Sequence, residues 1–172
     1  MSGVTIRDAR SADRDTIKAL TLTAYSELAS VMAPEAWAGL DGAVRDALEV
    51  EGEGVERIVA ERGGEIVGSV MLFAPSADAY AGLAERASWP ELRLLAVAPT
   101  ARGAGVGQAL VDECVRRARE SGARELGLHT SESLRAAVRM YERMGFERAP
   151  EHDFRPPGAE LVMAYRLPLD RP

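Results

Sequence analysis

Two kinds of hydrophobic pattern alternate along the chain. Segments with apolar residues every three or four positions predict helices, and short alternating or continuous apolar runs predict strands. The predicted helices begin near Ser11, at Pro34–Val50, at Gly105–Ser121 and just before Leu134. The predicted strands are Val4–Asp8, Glu56–Glu61, Glu65–Phe73, Glu91–Ala98, Arg124–Thr130, Phe146–Arg148 and Glu160–Leu167. The order β-α-α-β-β-β-α-β-α-β-β indicates an α/β fold with an antiparallel first half and a parallel pair around helix 105–121.

Glycine and serine residues lie at the ends of several of these segments. Gly63-Gly64 stands between two strand patterns, and two glycines accept the positive φ angles of a tight hairpin turn. Gly122 is placed to end the helix that precedes it. Ser131 or Ser133 is placed to cap the helix that follows. Residues 74–89 are rich in small residues and predict a loop.

Composition limits the classes of protein to consider. The chain has 172 residues, which predicts one domain over residues 1–172. Its formal charge of −6 argues against nucleic acid as a partner, because binding to phosphates requires a basic surface. There is no apolar signal core and no run long enough to span a bilayer, so we expect no membrane partner and a cytoplasmic location.

The segment most informative about ligand binding is RGAGVG, from Arg102 to Gly107, between a predicted strand and a predicted helix. Glycines leave backbone N–H groups uncovered, and a helix N-terminus carries about half a positive charge. This combination predicts a cradle for phosphate groups. A flexible turn that merely starts the helix is the alternative.

Three nucleotide-binding motifs fit this loop poorly. A P-loop would require Gly-Lys-Ser/Thr, but Gln108 and Ala109 follow Gly107. A dinucleotide-binding fold would require glycine at Gln108 and an acidic residue near His129. A kinase loop would have to join two antiparallel strands.

The loop and a second segment together resemble the GNAT acyltransferase superfamily, which uses acyl-coenzyme A. The first motif reads Leu95-Ala-Val-Ala-Pro99 followed by Arg102, Gly105 and Gly107, and the second runs from Ala137 through Tyr141 to Gly145-Phe146. The resemblance implies a mixed, mostly antiparallel central sheet with a splayed parallel strand pair, flanked by helices. It also implies acetyl-CoA as co-substrate and no metal, with a homodimer possible.

The resemblance also implies roles for individual residues. Backbone amides of the loop would hold the pyrophosphate, and the exposed edge of the fourth strand would pair with the pantetheine arm. The amide of Val97 could donate to the thioester oxygen. The implied cofactor-binding residues are Leu95, Ala96, Val97, Arg102, Gly103, Ala104, Gly105, Val106, Gly107 and Gln108. Leu134 departs from the family, which often has asparagine there.

Acyl transfer to an amine requires a base, because a free aliphatic amine is mostly protonated at neutral pH. Tyr141 matches the family's general acid, which protonates the departing thiolate; core packing is its alternative role. Glu91 and His129 are both candidates for the base, and a solvated carboxylate and a structural histidine are the alternatives.

The sequence therefore predicts an N-acetyltransferase that moves an acetyl group directly from acetyl-CoA to a primary amine of a small molecule or peptide. A non-catalytic acyl-CoA-binding regulatory module and an unrelated nucleotide-binding domain remain the competing hypotheses. Aromatic residues in the first two helices and two loops could wall the acceptor pocket. They are Tyr25, Trp37, Tyr80, Trp89 and Phe154.

Overall fold

A computed structural model describes residues 3–75, 77 and 88–169. The helices are α1 (Arg14–Ser26), α2 (Pro34–Glu49), α3 (Val106–Glu120) and α4 (Arg135–Arg143). The strands are β1 (Thr5–Asp8), β2 (Val55–Arg62), β3 (Glu65–Phe73), β4 (Glu91–Val97), β5 (Glu125–Thr130), β6 (Glu147–Arg148) and β7 (Met163–Pro168). This order confirms the predicted succession of elements.

The described strands form one seven-stranded sheet in the order β1-β2-β3-β4-β5-β7-β6. Only β4 and β5 pair in parallel; all other neighbours in this described sheet are antiparallel. The predicted mixed sheet with one parallel pair is therefore confirmed. The helix α3 connects those two strands, as a crossover between parallel strands requires.

Each face of the sheet carries its own hydrophobic core. On one face α3 and α4 cover apolar residues that include Ile58, Leu92 and Leu128. On the other, α1 and α2 cover Val59, Met71 and Leu94. None of the helices described here is long and apolar enough to cross a bilayer.

Turn glycines behave as their sequence context predicts. Gly63 and Gly64 have φ angles of 61° and 84° in the β2–β3 hairpin, and Gly122 has a φ angle of 79° after α3. Left-handed backbone of this kind strains any residue with a Cβ atom.

Two local predictions are wrong: the start of the last strand and the cap of α4. The last strand begins at Met163 rather than Glu160, because the preceding loop is held by a bridge between Phe154 and Val162. Neither Ser131 nor Ser133 caps α4. The Ser133 hydroxyl donates instead to the Glu160 carboxylate, at 2.9 and 3.0 Å from its two oxygens, which ties this loop to the start of α4. Of the predicted loop 74–89, residues 76 and 78–87, including Tyr80, lie outside the described residues.

Gly127 on β5 is required for packing rather than for backbone conformation. A Cβ atom there would lie 2.0 Å from Nε1 of the buried Trp89. We expect Gly127→Ala to lower the free energy of unfolding by about 2 kcal/mol or more, because the indole ring must move out of its site. Urea unfolding will measure the loss. The matched control is Gly42→Ala in α2, where a Cβ atom meets nothing within 4 Å and stability should stay the same or rise. Equal stability of the two variants would contradict the packing argument.

Candidate functional site

The parallel strands β4 and β5 diverge after a short paired region. Glu91 pairs with Gly127 and Leu92 with Leu128, and the two strands then separate. On its other side β4 carries an extra residue relative to β3, since Met71 pairs with Arg93 but Ser69 with Ala96. Leu94 lies in this bulge with a φ angle of 56°, a strained value for a residue with a Cβ atom.

The bulge and the divergence open the sheet at its centre. From Leu95 to Val97 the edge of β4 faces a groove instead of a neighbouring strand. Such an edge presents backbone donors and acceptors to a ligand that runs alongside it. This confirms the predicted splayed pair.

The glycine loop forms one end of this groove. Gly103 and Gly105 have φ angles of 75° and 77°, and a Cβ atom at either position would meet nothing within 4 Å. Gly105 is the N-cap residue of α3, so the N–H groups at the start of that helix face the same opening. An anion that lies here meets bare backbone and the positive end of a fifteen-residue helix.

Gly68 on β3 brings the start of α3 close to the sheet. A Cβ atom at Gly68 would lie 2.9 Å from Cγ1 of Val106 and 3.2 Å from the carbonyl oxygen of Ala96. Because Gly68 has no side chain, the start of α3 can lie this close to β3 and β4.

The groove has a volume of about 640 Å³ and brings together nearly all the predicted cofactor-binding residues. Those that line it are Leu95, Ala96, Val97, Arg102, Gly103, Gly105, Val106, Gly107 and Gln108. Ala104 is exposed between them. The Val106 side chain is buried in the core, so this residue can offer only its backbone.

Two walls of the groove come from residues that the sequence does not assign to cofactor binding. Arg135, Met140 and Arg143 of α4 form one wall, and Tyr25 at the end of α1 belongs to the other. Arginines at positions 135, 139 and 143 mark one edge of α4 at helical spacing, and this pattern could have revealed the first wall.

The Arg102 side chain makes an ionic contact across the groove. It forms a half-exposed salt bridge with Glu27, which follows α1. The pair joins the glycine loop to the segment after the first helix. A phosphate at the loop would meet Arg102, Arg135 and Arg143, with Glu27 as a competing anion for Arg102.

A second cavity, of about 210 Å³, lies beside the groove. Its walls come from α2, from the bulge at Leu94 and from the loop that contains Phe154. Tyr25 and Leu134 line both spaces, so the two meet at these side chains. Of the predicted acceptor aromatics that the structure describes, Tyr25 and Phe154 line the second cavity. Trp37 of α2 is not one of the described residues that line it, and Trp89 packs on Gly127.

The two candidate bases, Glu91 and His129, are in direct contact. Nδ1 of His129 lies 2.6 Å from Oε1 of Glu91, and Nε2 lies 2.9 Å from the carbonyl oxygen of His152. A carbonyl only accepts, so Nε2 carries a hydrogen and a single proton is shared between Nδ1 and the carboxylate. The two side chains are 2% and 9% exposed, which shields this proton from bulk water.

Burial by itself lowers the pKa of His129. The hydrogen bond to Glu91, the charge of that carboxylate, the His152 carbonyl and the nearby Asp153 outweigh burial, so the pKa lies above its ordinary value. The pair therefore keeps its shared proton to a higher pH than a free histidine would.

Tyr141 lies on the opposite face of β5. It belongs to the core cluster that contains Leu128, and strand alternation directs His129 to the other face. Burial raises the pKa of Tyr141, and Tyr25 and Cys114 lie near enough to raise it further. Its hydroxyl has no hydrogen-bond partner among the described residues.

Tyr25 connects the two faces. It packs against the core under α1 and α2, yet it lies near enough to raise the pKa of Tyr141 in the core under α4. Burial raises the pKa of Tyr25 to about 12, with Arg93 acting in the opposite direction. The separation of β4 and β5 is thus the place where groups from both faces of the sheet approach one another.

Comparison with known proteins gives consistent matches. The profile of the Acetyltransferase (GNAT) family matches residues 22–146. A mycothiol acetyltransferase of Geodermatophilus obscurus is 41% identical over 58 residues, which cover 34% of this chain and 19% of that protein. The chain spans 19–39% of the length of the curated relatives it matches.

Solved structures match over almost the whole chain. The structure of yncA from Salmonella typhimurium with its cofactor acetyl-CoA has a TM-score of 0.65 at 20% identity, and covers 99% of this chain and 96% of that one. A GNAT family acetyltransferase from Brucella melitensis in complex with acetyl-CoA has a TM-score of 0.60 at 21% identity, and covers 99% and 91%. At these identities the likeness establishes the fold.

Proposed function

Because the chain belongs to the GNAT acetyltransferase family, we propose that it transfers an acetyl group from acetyl-CoA directly to a primary amine. The observation that carries this proposal is the groove between the separated strands, with a free β4 edge along one side and the glycine loop at its end. Its shape suits a long ligand with an amide-rich arm and a diphosphate.

The residues present fit acetyl-CoA as a substrate. The open positions above Gly103 and Gly105 leave room for a diphosphate, and the start of α3 offers N–H donors to it. The edge from Leu95 to Val97 is available to the pantetheine amides. Acetyl-CoA supplies the activated acyl group, and the chain supplies alignment of that group with an amine.

Two hydrogen-bond donors are proposed to act on the thioester during the reaction. The backbone N–H of Val97 is proposed to donate to the thioester oxygen, where negative charge develops as the amine attacks. Tyr141 is proposed to protonate the departing thiolate. A phenol is protonated at neutral pH, as a general acid requires, and burial raises the pKa of Tyr141 further above neutrality.

The amine must lose a proton during the reaction. We propose that the pair Glu91–His129 receives it, rather than either residue alone, because both ring nitrogens of His129 face protein groups. The pair accepts a proton only when its shared site has emptied, above its raised pKa. A pair that merely ties β4 to the loop at His152 is the structural alternative.

The proposal is tested by mixing the protein with acetyl-CoA and amines while free thiol is detected. Acceptor-dependent thiol release is expected. Tight binding of acetyl-CoA without turnover of any amine would favour the non-catalytic binding module instead.

The pair is tested by the pH dependence of kcat/KM. In the wild type the rate should rise with pH through the raised pKa of His129. In Glu91→Gln the carboxylate that raises this pKa is gone while burial remains, so the acidic limb should move to lower pH. Glu125→Gln, which removes a carboxylate at the far end of β5, should leave the profile unchanged. An unmoved limb in Glu91→Gln would assign the pair a structural role.

A further inference from the structure

The second cavity carries information about the acceptor. Resting on the proposed function, we infer that the acceptor is a primary amine on a compact apolar body, such as an aralkyl or branched alkyl amine. The cavity's size, the chemistry of its walls and the position of its opening to the groove all favour such an acceptor.

The walls that surround most of the cavity are apolar. Three come from one face of α2, one from the bulge of β4 and two from the loop after β6. They are Ala36, Leu40, Val44, Leu94, Phe154 and Pro156. An apolar body buried here gains the full hydrophobic stabilisation, whereas a hydroxyl or second ammonium group would lose its hydration without replacement.

The polar side chains at the cavity are partly engaged within the protein. His129 holds Glu91 and the His152 carbonyl, and Glu160 accepts from Ser133. Glu35 is exposed at the rim. Of the charged side chains that line the cavity, Glu35 and Glu160 are acidic and Arg93 is basic. Two negative charges against one positive charge leave a net negative character that suits one incoming ammonium group.

The end of β5 offers polar groups of its own. The hydroxyls of Thr130 and Ser131 are buried there without a hydrogen-bond partner among the described residues. Both residues line the cavity, as do Tyr25 and Leu134 where it joins the groove. The cavity opens to the groove at this end, so the nitrogen of the acceptor belongs here, with its apolar body directed towards α2.

The volume sets an upper limit on the body. An apolar cavity of about 150 Å³ accommodates benzene, so on the same ratio 210 Å³ accommodates about eight heavy atoms. Benzylamine has this size and phenethylamine is one carbon larger. A linear polyamine such as spermidine or an amino sugar such as glucosamine has more heavy atoms than this limit, and its polar groups do not match the apolar walls.

Two glycines of α2 provide a matched pair of variants. Gly39 lines the cavity and Gly42, one turn later, does not line it among the described residues. A Cβ atom at either position meets nothing within 4 Å, so neither backbone position is crowded. Leucine also favours a helix more than glycine does, so both variants should fold.

The experiment measures kcat/KM for benzylamine, phenethylamine, spermidine, glucosamine and a lysine-containing peptide with acetyl-CoA. We expect the two aralkyl amines to exceed the others by at least about tenfold, the scale set by one well-placed apolar contact. Gly39→Leu should lower kcat/KM for benzylamine by at least about tenfold, and Gly42→Leu should leave it unchanged. Affinity for coenzyme A, measured by calorimetry, should be the same in all three proteins.

The outcomes separate the two proposals. If spermidine, glucosamine or the peptide is the preferred acceptor, or if Gly39→Leu leaves the preference intact, the inference about the apolar body is overturned and the acetyltransferase proposal stands. If coenzyme A does not bind, or no amine supports thiol release, the proposed function itself is overturned.

Discussion

Replacing Tyr141 with phenylalanine is expected to lower kcat at least about tenfold, because general acid catalysis typically contributes a hundredfold or more and a thiolate is a fair leaving group without it. The Tyr141 hydroxyl makes no hydrogen bond to a described residue, and the ring is buried in the core. The variant should therefore keep its stability and its affinity for acetyl-CoA. Single-turnover kinetics and calorimetry measure the two effects separately.

Tyr25→Phe is the control that the structure offers. Tyr25 lines both the groove and the acceptor cavity, and it lies near enough to Tyr141 to affect its pKa. If Tyr141 is the acid, Tyr25→Phe should mainly change KM for the amine. A large loss of kcat in Tyr25→Phe together with normal turnover in Tyr141→Phe would transfer the acid role to Tyr25.

The fold could be predicted from the sequence where local patterns decide it. The period of apolar residues in α3, at Val106, Leu110 and Cys114, and the double glycine of the hairpin both gave the correct elements. The start of β7 was misplaced because a distant contact decides it. Glu160 is drawn to Ser133 of another segment, and no local pattern encodes that pairing.

The site shows the same division. The glycine loop is a contiguous motif, so its residues alone predict a phosphate-binding loop, and the loop does line the groove. The contact between Glu91 and His129 depends on the register of two parallel strands, since Glu91 stands beside Gly127 and His129 is two residues further along. Both residues could be selected as candidates, but not as a pair, because only that register brings them into contact.

The bulge at Leu94 had no sequence signal at all. A leucine at a positive φ angle is disfavoured by about 1 kcal/mol or more, so the surrounding fold must impose it. Its consequence is the opening of the sheet, which places the β4 edge, Tyr25 and the acceptor cavity next to each other. The strained backbone at Leu94 and the opening at the centre of the sheet therefore occur at the same point of β4.

Gly105→Val is expected to weaken acetyl-CoA binding by about 2 kcal/mol or more, roughly thirtyfold, since hydrogen bonds to a charged group contribute about 1.5 to 3 kcal/mol each. Valine strongly disfavours a φ angle of 77°, so the loop must change its backbone and turn its N–H groups away from the diphosphate. Any valine that keeps the original backbone would place its side chain in the open space above the loop. Calorimetric titration with acetyl-CoA gives the loss directly.

Gly122→Val separates loss of the cradle from general destabilisation. Gly122 follows the other end of α3, with a φ angle of 79° and the same open surroundings, so its substitution strains the backbone equally. Both variants should unfold at lower urea concentration by a similar amount, yet only Gly105→Val should bind acetyl-CoA weakly. The fifteen-residue helix between the two sites is about 22 Å long, beyond the reach of one diphosphate. Equal affinity in the two variants would therefore show that the start of α3 does not hold the phosphates, and the groove would lose the feature that distinguishes it from an ordinary cleft.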